Sequence, residues 1–278
     1  MILRLIKLLG SLVVCALDFI GRMILRLTGR PVPARCVVLY YHAVPELQRG
    51  RFARQMDWLL SRAQPIPAGI QNPLPPGRRY TAVTFDDGFT SVVQNALPEL
   101  MARQIPATLF VPTGSLGKHP LWIQPENATS RGETVLSAAE LTSLKAFKLL
   151  TIGSHSVNHP NLVKLEPARA RAELADSKSE LEKILGTEVD LFSFPHGAHN
   201  NRIVREAREA GYRRVFTISP RCAFSESPEF VTGRVLADPS DWRLEFSLKL
   251  VGAYRWLPVA SNFKAWLLPR RDKQRSCC

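Results

Sequence analysis

Acidic residues are scarce in this 278-residue chain. Only 24 Asp and Glu stand against 37 Lys and Arg, a formal net charge of +13. That imbalance biases the protein toward anionic partners. Cysteines are few as well: Cys15, Cys36, Cys222, Cys277 and Cys278, with no Cys-x-x-Cys pair. A disulfide framework and a thiolate metal knot are thereby excluded, and a reducing compartment is mildly favoured. No low-complexity tract interrupts a composition that is 45% hydrophobic and 22% charged, so the chain reads as globular. Nucleic-acid-binding signatures are missing too. The excess Arg and Lys gather in residues 1–35 and 264–275, among Leu, Ile and Trp. Basic and apolar together at the termini point to a membrane surface rather than to nucleic acid.

The first thirty residues lack an Ala-x-Ala cleavage site after their apolar run, so they do not read as a cleaved secretory signal. Leu12-Val13-Val14-Cys15 imitates a lipoprotein box, but Val14 is bulky where a small residue belongs. The apolar stretch 8–17 is short for a conventional span of ~20 residues. Read as a helix, residues 2–27 place Arg4, Lys7, Ser11, Asp18, Arg22 and Arg26 within an arc of roughly 100°. A narrow basic stripe on an apolar cylinder suits a helix lying in a bilayer interface with its cations toward phosphates. A signal anchor and a helix packed on the protein's own core are the alternatives. Thr28-Gly29-Arg30-Pro31-Val32-Pro33 reads as a linker that cuts the segment off.

From residue 36 onward, strand-like and helix-like stretches alternate. Strands are expected at 36–41, 80–85, 107–111, 149–153, 190–194 and 213–218; helices at 52–61, 91–103, 137–145, 167–185 and 201–210. Ser137 and Glu140 have the spacing of a capping box. Apolar strands alternating with helices imply a parallel α/β sheet or barrel. Functional residues in such folds collect at the C-terminal ends of the strands. His42, Asp86, Asp87, His155 and His196 all follow strands.

Two motifs carry the chemistry: Thr84-Phe85-Asp86-Asp87-Gly88 and Ser154-His155-Ser156-Val157-Asn158-His159-Pro160. Adjacent carboxylates push one another's pKa apart unless a cation binds one of them. His155 and His159, four apart, would share one face of a helical turn. One Asp with two His leaves coordination positions open, as in catalytic zinc sites, and the second Asp is then free as a base.

These residues resemble the NodB-type polysaccharide deacetylases, carbohydrate esterase family 4. A partial third motif is Ser193-Phe194-Pro195-His196-Gly197. The resemblance spans residues 36–240 and implies a distorted (β/α) barrel that removes N-acetyl groups from hexosamines with a divalent metal, zinc foremost. It implies Asp86 as general base, Asp87, His155 and His159 as metal ligands, and the backbone around Pro195, His196 and Gly197 as oxyanion contact. Ser193 stands where the family often has the Arg that steadies the base, and His196 replaces Tyr. A late Leu-x-His motif, source of the general acid in many members, is missing. Val38-Leu39-Tyr40-Tyr41-His42 resembles a branch with an N-terminal Tyr-His, which makes His42 the candidate acid. Asp238-Pro239-Ser240-Asp241-Trp242 imitates a further family motif but falls late, and is read as coincidence.

The reading is therefore a membrane-associating helix over 1–30, a deacetylase-type domain over 36–240 and a basic, aromatic extension over 241–278. The expected substrate is an N-acetylated glycan or lipid-linked sugar. A non-catalytic glycan binder that keeps the pocket, and a deformylase-like amidohydrolase, are the rivals.

Overall fold

The structure, a computed structural model, describes residues 2–122, 132–224 and 229–260. Among the described residues nine strands make one sheet in which every strand pairing is parallel. In chain order the elements are α1 (Ile2–Leu27), β1 (Arg35–Tyr41), α2 (Arg49–Leu60), β2 (Gln64–Pro65), β3 (Arg79–Phe85), α3 (Leu97–Ala102), β4 (Ala107–Val111) and α4 (Ala138–Ser143). There follow β5 (Leu150–Ser154), α5 (Pro167–Leu185), β6 (Leu191–Ser193), α6 (Asn201–Glu209), β7 (Arg214–Phe216), β8 (Val231–Thr232), β9 (Val235–Leu236) and α7 (Arg243–Leu250). The expected strands and helices are present with shifts of a few residues at their ends, whereas β2, β8, β9 and α7 lie where none was expected. The expected helix over 91–103 is the exception in kind: Val92–Ala96 forms a wider π turn before α3. The capping box at Ser137 and Glu140 is present in full.

Strand order runs β8-β7-β6-β5-β4-β3-β1-β9, with β2 paired to β3 off that path. The two outermost strands, β8 and β9, are consecutive in sequence and separated only by Gly233-Arg234. Two intervening residues span no more than about 11 Å, so the sheet must curl until its edges meet. The result is a distorted barrel with a seam at Gly233-Arg234. Gly233 is required there by close approach: a Cβ would lie 2.4 Å from the Ser219 carbonyl oxygen.

Burial alternates along the strands. Val37, Leu39, Tyr41, Val83, Phe85, Leu109 and Val111 pack outward against the helices, with Phe52, Met56 and Leu59 of α2 and Phe246 and Leu250 of α7. Cys36, Val38, Tyr80, Ala82, Phe110 and Phe216 form a second cluster on the opposite face. Both faces being buried explains why β1, β3 and β4 are almost unbroken apolar runs.

The placement of α1 corrects the expected orientation of its polar stripe at Arg4, Ser11 and Asp18. Arg4 pairs with Glu245, and Asp18 accepts from Arg35 and Arg255. Ser11 is fully buried and accepts from Trp256 Nε1, whose indole leaves no room for a Cβ at Gly10. Leu8, Val14 and Cys15 touch the core. These polar groups find ionic partners and packing on the domain, which lipid phosphates would have to displace, so the linker does not detach the helix. Outward instead face thirteen large apolar side chains, from Ile2 to Leu27. By length and composition α1 is also apolar enough to cross a membrane. Past residue 241, α7 and the turn Ala253–Trp256 bury Phe246, Ala253 and Tyr254 in the core. That part of the expected extension is integral to the fold. Trp266, Cys277, Cys278 and the basic run 264–275 lie outside the described residues.

Candidate active site and metal centre

Thr84 and Asp86 lie two apart and so share one face of the β3 edge, the face that looks into the barrel. Asp86 is anchored by its own N–H, which donates to the Tyr41 carbonyl. Asp87 breaks the alternation by adopting φ 69°, and Gly88 follows at φ 64° beneath Val111. The turn therefore aims both carboxylates at one space. Left-handed backbone recurs at Ser156 (φ 67°), His159 (φ 56°) and His196 (φ 57°). Such conformations cost non-glycine residues free energy and cluster where a site is held in place by its surroundings.

His155 extends β5, its N–H bonded to the Val111 carbonyl. The segment from His155 to His159 is not the helical turn its spacing suggests; it is a bent loop. Its shape comes from α5. Glu173 Oε2 accepts from the Val157 and Asn158 amides, each at 2.9 Å, and Oε1 accepts from Asn158 Nδ2 at 2.8 Å. The His159 amide donates to Ser156 Oγ. The loop thus presents both imidazoles to Asp87. His155 Nε2 lies 3.8 Å and His159 Nε2 3.4 Å from Asp87 Oδ1.

These three side chains are buried, and their ligand atoms lie within 4.8 Å of one another. His155 Nδ1 lies 2.7 Å from the Ser193 carbonyl, so it carries the proton and leaves Nε2 as a lone-pair donor toward Asp87. Burial lowers the pKa of His155 to about 4, and lowers that of His159 further with the help of His155 and His196. Both rings are neutral near pH 7. Burial, then the neighbouring Asp86, pushes Asp87 up to about 8. Two neutral imidazoles and a carboxyl whose ionisation awaits a cation fit a divalent metal ion well. Trp122 covers the group: its Nε1 donates to Asp87 Oδ1 at 3.1 Å and its indole stacks on His159.

Asp86 sits beside this cluster without belonging to it. Arg234, buried completely at the barrel seam, grips both its oxygens at 2.7 and 2.8 Å. The same guanidinium donates to Thr84 Oγ1, Ser193 Oγ and the Thr217 carbonyl, and lies over the Tyr40 ring. Burial opposes the charge on Asp86, but Arg234 overrides it and holds the carboxyl well below the usual range. Ser193, where the resemblance expects Arg, instead accepts a hydrogen bond from an Arg that arrives 41 residues later.

His42 follows β1 on the far side of Asp86. Its ring edge meets Tyr40, and it keeps a solvent-exposed face although protein surrounds it. That surrounding burial lowers its pKa, while Asp86 and Asp238 act in the opposite sense. The segment read as coincidence is thereby placed near the site: Ala237 N–H bonds to Tyr40, and Asp238 follows at the end of β9. His196 lies edge-on to His159 with centroids 4.6 Å apart. Pro195 offers no N–H, and the Gly197 amide is committed to the Phe194 carbonyl at 2.8 Å. Only His196 in that trio retains an amide outside these turn bonds. His119 and His199 bond to backbone carbonyls and take no part in the cluster.

Arg234, Glu173 and Trp122 are absent from the sequence reading. Arg234 carries one weak signal, an arginine flanked by Val231 and Val235 in a strand-like stretch; Glu173 and Trp122 carry none. The role of Glu173 makes an expected result. Glu173→Ala strands two loop amides and should weaken metal binding about 10–100-fold, the usual cost of losing a group that orients ligands. Glu173→Gln, which keeps one acceptor, should fall between. Zinc titration of the apo-protein checks this; equal affinity in Glu173→Ala would show that the loop is held by other contacts.

At its strand ends the parallel barrel carries an Asp-His-His cluster whose ligand atoms could hold a metal ion, with a separate buried carboxylate beside it. The Polysaccharide deacetylase family profile matches residues 74–215, just over half the chain, and the protein belongs to that family, whose enzymes hydrolyse amide C–N bonds. Bacillus subtilis (strain 168) YxkH is 26% identical over 219 residues, 74% of this chain and 73% of that protein. The poly-beta-1,6-N-acetyl-D-glucosamine N-deacetylase of Staphylococcus aureus (strain MRSA252) is 25% identical over 162 residues, 57% of this chain and about half of that protein (54%). Among solved structures, IcaB from Ammonifex degensii aligns with a TM-score of 0.65 at 26% identity, covering 79% of this chain and all of that one (100%). The Streptococcus pyogenes deacetylase PplD, at 21% identity and TM-score 0.64 over 79% of this chain and 99% of that one, shares the fold.

Proposed function

We propose that this protein removes N-acetyl groups from the amino sugars of a surface or lipid-linked glycan, using a divalent metal, zinc foremost, held by Asp87, His155 and His159. The observation that carries the reading is the division of labour between adjacent carboxylates: Asp87 faces two neutral imidazoles, while Asp86 faces Arg234. A dication at the first group would polarise the amide carbonyl and acidify a water molecule. Asp86, kept ionised by Arg234, takes the proton from the attacking water. His42, on the opposite side of Asp86, protonates the departing amine. The His196 amide is the donor suited to the developing oxyanion.

Membrane association is the second part of the reading. It is supported by the outward apolar face of α1 and by the net charge of +13. Arg4 at one end of α1 bonds to the Ser240 carbonyl beyond β9, and Asp18 bonds to Arg35 at the start of β1. The helix therefore runs alongside the barrel from its catalytic end to its opposite end, and a membrane against it would lie beside the site.

The test combines metal analysis with acetate and formate release from lipid-linked and polymeric N-acylated hexosamines. The expected outcome is one metal ion per chain, acetate release, and loss of both in His155→Ala. Full metal retention in His155→Ala would overturn the ligand set. Formate as the product would change the acyl group. Bound metal with no release from any substrate would favour a glycan binder.

A further inference from the structure

The C-terminal half of α1 forms one wall of a groove whose other wall comes from the end of α2 and the start of β3. Its volume is about 510 Å³, and it is lined by Phe19, Arg22, Met23, Arg26, Arg62 and Arg79. Four guanidiniums thus converge from three separate parts of the fold. Among the described residues none of the four makes a salt bridge or a side-chain hydrogen bond; Asp18, the one carboxylate within electrostatic reach of Arg22, is already bonded to Arg35 and Arg255, and the nearby Arg79, Arg35 and Arg26 outweigh it. The contrast with their neighbours is direct. Arg35 and Arg255 share Asp18, and Arg103 holds Asp57 and Glu99. Arg79 adds a second observation: its Nε is buried and makes no hydrogen bond.

Unpaired positive charges so close together repel one another, and a groove built from them is complete only with an anion in it. The rim of the groove shows which anion. Phe19, Ile20, Met23, Ile24 and Leu27, all exposed, continue from it along the outer face of α1. A soluble anion would leave that apolar strip in water, whereas a phospholipid satisfies both, its phosphate in the groove and its chains against the strip. The tethering of Arg4, Ser11 and Asp18 to the domain keeps one side of α1 on protein, so the helix meets lipid with one face only.

We propose that Arg22, Arg26, Arg62 and Arg79 form a binding site for the phosphate headgroup of an anionic phospholipid, with α1 lying flat against the bilayer. This rests on the membrane-bound reading of α1 and adds to it a defined headgroup site away from the catalytic end. A polybasic surface would attract anionic lipid in proportion to its charge wherever that charge lay. A site demands these four positions.

The experiment is flotation of the full-length protein with vesicles of phosphatidylcholine alone or mixed with phosphatidylglycerol. Wild type should bind both and prefer the mixed vesicles. Arg62→Gln/Arg79→Gln, which leaves α1 unchanged, should lose about 30-fold in affinity for the mixed vesicles, about fivefold per charge, with binding to phosphatidylcholine unaltered. Arg22→Gln/Arg26→Gln should behave alike, so that one misfolded pair leaves the other to decide. The control Arg169→Gln/Arg205→Gln removes the same charge from exposed positions of α5 and α6 and should change little. An equal loss in that control, or an unchanged preference in both groove variants, would overturn the site. Equal binding of wild type to both vesicles would remove the headgroup site and leave the membrane reading standing. Binding to neither would remove both.

Discussion

Asp86→Asn should lower kcat for deacetylation by about 10²–10⁴-fold, the usual contribution of a positioned general base, without loss of bound metal. The second half of that expectation is the informative one. Asp86 is among the causes that raise the pKa of Asp87, so removing its charge makes Asp87 easier to ionise and a better ligand. The lost attraction of Asp86 itself for a dication opposes that gain, so bound metal should be retained while turnover collapses. The substituted amide keeps one acceptor for Arg234 but no charge, so the variant will be less stable and its kcat must be read well below its melting temperature. Acetate release and metal content on the same preparation check both halves. Undiminished kcat would remove Asp86 as the base, and loss of metal would make it a ligand.

Arg234→Met should be the most destabilising single change at the site. Both partners of the Arg234–Asp86 pair are buried, and removing one of them leaves the other charge without compensation, at about 3–5 kcal/mol. For a chain of this size that is a fall in melting temperature of the order of 10 °C. The sign of the pH dependence follows from the lowered pKa of Asp86. A carboxyl depressed in the folded state contributes stability that is complete above its unfolded pKa and lost as pH falls through the folded one. The gap between wild type and variant should therefore be full at neutral pH and close only in acid. Without Arg234, burial dominates Asp86 and its proton returns at higher pH, so the acid limb of kcat/KM should move upward. A merely structural arginine would lower stability without moving that limb. Arg234→Lys, a charge without the bidentate fork, should restore part of the profile. Thermal melts and pH–rate curves of the three proteins decide it.

Arg234 also shows where the sequence stops being legible. It lies 148 residues from Asp86 in an unremarked Gly-Arg-Val, and nothing local says that β8 and β9 are opposite edges of one sheet. Only closure of the barrel brings it to Asp86, and the same closure sets Asp238 near His42. Glu173 is similar: its carboxylate is one of several on a charged helix until packing puts it under the loop that carries His155 and His159. That loop is also where local spacing misleads, since Glu173 takes the amides a helical turn would have used internally.

What the sequence by itself determined is what depends on short-range order. Runs of apolar residues specify parallel strands, and a carboxylate pair or a His-x-x-x-His at a strand end must appear at the mouth of such a sheet. The amphipathic pattern likewise specified that α1 is a helix with one polar stripe. The tertiary structure alone decided which partner each polar group meets. A lipid phosphate and the domain's own Glu245 are equally good answers to Arg4, and a proximity in space that no local sequence records is what chose between them.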